Sequence, residues 1–75
     1  MNDSSFVIIT FYTTADAMAT EKICKSENIE GKLISAPREY SADCGIAWRS
    51  GIEYKDILID ALNTNKIEYE GVHVK

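Results

Sequence analysis

Seventy-five residues carrying a net charge of −4 read as one domain, 1–75, with a small core. Hydrophobic residues make up 45% and charged residues 27%, a globular rather than a disordered balance. The acidic balance argues against a nucleic-acid partner, which needs clustered Lys and Arg, and no stretch approaches the roughly 20 apolar residues of a membrane span. The opening Met1-Asn2-Asp3-Ser4-Ser5 lacks the basic start of a signal peptide, so the chain reads as cytoplasmic with residues 1–5 as a flexible lead-in.

Residues 6–12 read as a strand, rich in β-branched and aromatic side chains. Phe6, Ile8 and Tyr12 fall on one face, and Val7, Ile9 and Phe11 on the other. With apolar residues on both faces, this strand should be central. Thr13 or Thr14 then caps a helix, and Thr13 with Asp16 is an acidic variant of the capping box. The helix runs to about Glu27, with Ala17, Ala19, Thr20, Ile23 and Cys24 on its apolar arc. Asn28 and Gly31 mark its exit, and Ile29 between them is a core anchor.

Residues 32–35 form a short second strand, ended by Pro37. A polar loop, 37–43, leads to residues 45–49, a third strand with Ile46 and Trp48 facing the core and Gly45, Ala47 and Arg49 facing away. Ser50 and Glu53 have capping-box spacing ahead of a second helix, whose stripe is Tyr54, Ile57, Leu58, Ala61 and Leu62. It ends near residues 63–65. Ile67 and Tyr69 then alternate on one parity and Val72 and Val74 on the other, so a bulge or bend is expected at Gly71. The order β-α-β-β-α-β predicts an α+β ferredoxin-like fold, a split βαβ with a four-stranded antiparallel sheet and two helices on one face. The other face would expose Val7, Ile9 or Phe11 beside Ala47, and such a face suggests a homodimer or a docked partner.

The chemistry centres on Cys44. A thiolate is the reactive form of cysteine, and its surroundings set its pKa. Arg38 is the better candidate partner for it, since alternation places Arg49 on the opposite face. Glu39 and Asp43 oppose the arginines, so the sign of any shift stays open. Gly45 would let another molecule approach the backbone N–H beside the sulfur, and Ser41 could donate to a thiolate or a bound anion. Each has a plainer reading. Free cysteine is often a small buried hydrophobe, which is how Cys24 reads, and Cys44 admits both readings. Arg38 could be a solvated loop charge, Ser41 a turn residue, and His73 an exposed or edge residue. Two cysteines in a reducing compartment read as free thiols. Cys24, Cys44 and the single His match no zinc pattern, so neither metal nor cofactor is expected.

Several segments carry a family resemblance. Phe11-Tyr12-Thr13-Thr14 with Ala17-Met18 and Glu21-Lys22 opens it, and Leu33-Ile34 continues it. Its centre is Ala36-Pro37-Arg38-Glu39, Ser41 and Cys44-Gly45-Ile46-Ala47-Trp48-Arg49, and Glu70-Gly71-Val72 closes it. With these segments the chain resembles a family of small bacterial proteins described as selenium/sulfur carrier protein-like. The Pro-Arg and Cys-Gly pairs at this separation are the specific part. Members often carry a His after the Ser or Thr that opens the first helix. Here that place is Ala15, so no proton transfer can come from it. The resemblance implies that Cys44 holds sulfur or selenium as a persulfide or selenosulfide, between donor and acceptor proteins. No set of acid, base and pocket is visible, so a carrier or accessory protein is expected rather than an enzyme. The alternative is a non-catalytic interaction or homodimerisation module without thiol chemistry. A metal chaperone ranks third, because such domains typically use two closely spaced cysteines.

Overall fold

The computed structural model describes residues 5–40 and 45–75. Residues 1–4, within the expected flexible lead-in, and residues 41–44, which include Ser41 and Cys44, lie outside them. The elements are β1 (Phe6–Thr10), α1 (Thr14–Ser26), β2 (Gly31–Ser35), β3 (Ile46–Gly51), α2 (Lys55–Thr64) and β4 (Gly71–Val74). Short 3₁₀ turns cover Arg38–Tyr40 and Ile52–Tyr54. The sheet order is β2-β3-β1-β4 and every pairing is antiparallel. This is the ferredoxin-like arrangement, with β1 and β3 central.

Helix α1 starts as its sequence requires. Thr13 has extended backbone, and its Oγ1 accepts from the Asp16 N–H at 3.2 Å while donating to Asp16 Oδ2 at 3.0 Å. Both helices end in a Schellman motif built on a residue other than glycine. Asn28 (φ 60°) and Lys66 (φ 57°) take the left-handed conformation. The following residues, Ile29 and Ile67, return their N–H groups to Cys24 O and Leu62 O, at 2.8 and 2.9 Å. Each motif thereby turns an isoleucine into the core.

The helices cover one face of the sheet. Val7, Ile9, Phe11 and Trp48 pack there against Ala17, Cys24, Leu58 and Leu62. This reverses the expected use of β1. Val7, Ile9 and Phe11 are not exposed; they are the core itself. The physical reason lies in the register. Ile9 stands opposite both Trp48 and Val72, so the face that carries the single Trp also carries the odd-numbered residues of β1. The outer face instead bears Phe6, Ile8 and Thr10 beside Ala47 and Arg49.

Three further expectations change. Ser50 does not cap α2. It lies in β3, and its buried Oγ accepts the Trp48 indole N–H at 2.6 Å. A buried indole donor needs a partner, and the side chain two residues on, on the same face, provides it. The stripe of α2 narrows to Leu58, Ala61 and Leu62, leaving Ile57 55% exposed. The bend expected at Gly71 falls one residue earlier, at Glu70, so that Gly71 opens β4, and Ile67 and Tyr69 pack on the core from the segment before it.

Removing the Trp48 partner should be costly. Ser50→Ala leaves a buried N–H unpaired and should lower unfolding free energy by about 1–3 kcal/mol. Urea denaturation followed by Trp48 fluorescence would measure it; an unchanged midpoint would mean the indole finds another acceptor.

Candidate functional site

The outer face of the sheet carries no helix, yet its centre is dry. Ile8 is 3% exposed, and Thr10 and Ala47 are fully buried. The loop between β2 and β3 explains this. It leaves β2 at one edge of the sheet and reaches β4 at the other, three strand spacings or roughly 14 Å away. There the Tyr40 ring stacks on His73, with centroids 3.9 Å apart and planes 7° from parallel. Glu39 Oε2 lies 3.6 Å from Lys75 Nζ, an exposed pair that adds little by itself. A segment tied to β4 must pass over β3 and β1, and this passage roofs Ile8 and Ala47.

The roof rests on a specific seat. His73 pairs with Ile8 in the ladder, and its Nε2 lies 3.4 Å from Thr10 Oγ1. That hydroxyl also lies 3.4 Å from the Gly71 carbonyl oxygen. A Cβ at Gly71 would stand 2.9 Å from His73 Nε2, so the glycine makes room for the imidazole. His73 does sit on an edge strand, but half-buried beneath Tyr40 rather than free in solvent. Neither Tyr40 nor the stack emerged from sequence reasoning. The available signal was β1 itself, since a strand apolar on both faces needs two covers.

The same loop carries the expected site residues. Arg38 is exposed in the 3₁₀ turn, which is closed by the Tyr40 N–H donating to Pro37 O at 3.0 Å. Gly45 has φ +75°, is exposed, and has no heavy atom within 4 Å of where a Cβ would stand. Its carbonyl accepts the Ala36 N–H at 3.0 Å and closes the base of the loop. Positive φ explains the glycine, and open space beside it leaves the backbone approachable. Arg49 is held apart from these residues. It lies four residues along β3 from Gly45, about 13 Å by strand rise. Its guanidinium sits over the Phe6 ring, 4.6 Å from the centroid.

Cys24 behaves as the sequence suggests. It is free and fully buried under α1. Burial first, and the charge of Glu27 second, push its thiol up from 9.0 to about 11. Among the described residues no group of three or more His, Cys, Asp or Glu side chains could hold a metal ion. No helix of the described residues is long and apolar enough to cross a membrane.

Comparison with known proteins gives one match. A family model described as Putative Se/S carrier protein-like covers residues 6–74. No curated protein and no solved structure matches the chain.

Two outcomes test this geometry. Tyr40→Ala and His73→Ala should each destabilise the fold by about 1–3 kcal/mol through exposure of Ile8 and Ala47. In a double-mutant cycle their effects should fall short of additive by about 0.5–1.5 kcal/mol, the value of the stack; additive losses would mean the rings do not interact. The Cys24 thiol gives a pH signature. Its folded pKa is raised, so its contribution is complete below pH 9 and is lost as pH rises towards 11. Stability should fall by about 2 kcal/mol more across that window than in Cys24→Ala, measured by chemical denaturation at each pH.

Proposed function

Because the chain belongs to the Se/S carrier protein-like family, we propose that Cys44 is a sulfur or selenium attachment point and that the protein passes this cargo between partner proteins. The observation that carries the reading is the loop's construction. Two described residues flank the Ser41–Cys44 stretch, Tyr40 seated on His73 and Gly45 hydrogen-bonded to Ala36. A loop anchored at both ends, with an exposed left-handed glycine next to the cysteine, suits a thiol that must be offered to another protein. Arg38, exposed on this loop, is the cation assigned to the anionic cargo, and Ser41 the hydroxyl donor.

The transfer needs no outside oxidant. The Cys44 thiolate attacks the terminal sulfane sulfur of a donor's cysteine persulfide. A new S–S bond forms on Cys44, the donor's S–S bond breaks, and the donor leaves as a thiolate. Cys44 then carries a persulfide, and attack by an acceptor thiolate on its outer sulfur returns the Cys44 thiolate. The selenium version replaces the terminal atom. Thiol chemistry of this kind belongs in a reducing compartment, in accord with a cytoplasmic location. In this reading the protein acts as a carrier for enzymes at either end.

The homodimer reading is weaker on this geometry. The centre of the face that would pair is roofed by the chain's own loop, so a second copy would first have to displace Tyr40 from His73.

Alkylation of the folded protein at a series of pH values, with Cys24 as internal control, tests the carrier reading. Cys44 should label in the folded protein while Cys24 stays protected until unfolding. Labelled sulfur from a cysteine desulfurase should appear on the wild type and be lost in Cys44→Ala. Labelling of Cys44 only on unfolding, or undiminished transfer in Cys44→Ala, would defeat the proposal.

A further inference from the structure

A second feature lies at the other end of β3 and owes nothing to the cysteine. The register places Lys32 of β2 directly opposite Arg49 of β3, both on the outer face. Like charges directly opposite on neighbouring strands repel. Among the described residues neither makes an ion pair, and the Arg49 guanidinium donates no hydrogen bond. Its one contact of note is the Phe6 ring beneath it. A ring on one face fixes the guanidinium plane and leaves its N–H edges free for a ligand. Both cations line an open cleft of about 540 Å³, with Gly31 and Ser50 in its wall. Gly31 is constrained there, because a Cβ would run into Arg49 O, Ser50 Oγ and the Trp48 ring. The two cations are held on a paired ladder rather than on loops.

We propose that the Lys32–Arg49 pair is a binding site for an oxyanion group, a phosphate or carboxylate, carried on a small molecule. A fork with two parallel N–H donors beside an ammonium point charge is the donor set such a group takes. The ligand would relieve the repulsion between the two cations. Glu30 and Glu53 also line the cleft. They oppose a second negative group, so the ligand bears a single oxyanion and is otherwise neutral or cationic. A polyanion such as a nucleic acid does not fit this pattern.

The test is titration of the full chain with inorganic phosphate and, separately, acetate, at ionic strength held constant with chloride, read by backbone amide shifts. Saturable shifts are expected at Gly31, Lys32, Arg49 and Ser50 with at least one of the two probes. The probe that saturates names the chemistry, phosphate or carboxylate. Lys32→Gln and Arg49→Gln should each weaken binding at least five-fold. Lys32→Glu should remove binding and also raise the melting temperature in chloride buffer, because it turns a repulsive pair into an attractive one. Shifts that track ionic strength without saturating, shifts unchanged in both Gln variants, or a melting temperature that does not rise in Lys32→Glu would each overturn the proposal.

Discussion

The stack of Tyr40 on His73 holds together more of this molecule than its size suggests. Two helices can cover only one face of a four-stranded sheet. The other face would leave Ile8 and Ala47 against water, a serious loss for so short a chain. The chain solves this with a loop instead of a third layer. A loop has little apolar surface of its own, so it must be pinned at its far side, and the planar contact of two rings provides the pin. Thr10 and Gly71 exist in their present form to seat one of those rings. The loop on which the proposed site lies is thus also tied across the second face of the core.

That economy explains what the sequence could and could not reveal. Element order was legible because each local signal was short-range: the Thr13–Asp16 cap, the Asn28 exit, the break at Pro37, and the Leu58–Leu62 stripe. The central place of β1 was legible from its two apolar faces. The choice of face was not, because it depends on the register with Trp48, and nothing in β1 alone records a register. Ser50 misled for a related reason. Its spacing to Glu53 imitates a cap, whereas its hydroxyl answers the indole of a residue two positions earlier. The Tyr40–His73 contact joins residues far apart in sequence, and periodicity carries no information at that range. Of the site, Arg38 was placed on the loop from the sequence, whereas Gly45 read as the first residue of the third strand; β3 starts at Ile46, and Gly45 with its positive φ belongs to the loop. The separation of Arg49 from them, and its contact with Phe6, needed the coordinates.

β3 divides the outer face into two regions of different character. At its start lies the loop base, where the Ala36 N–H donates to the Gly45 carbonyl. Towards its end lie the paired cations over Phe6. Ala47 between them is roofed and dry. Arg49 stands directly opposite Ile8, so the cation borders the covered centre of the face and is remote only from the loop base at Gly45.

The roof also has a consequence in time. During synthesis the segment that leads to Cys44 emerges well before the strand it leans on. β2, β3 and α1 can pair and collapse early, but Tyr40 has nowhere to stack until residue 73 is free of the ribosome. Until then Ile8 and Ala47 are wet and the loop hangs from its base alone. The Tyr40 end of the loop is thus among the later parts of the fold to settle, because its seat lies on β4. A nascent fragment lacking β4 would leave Tyr40 without its seat and Ile8 with one neighbouring strand fewer.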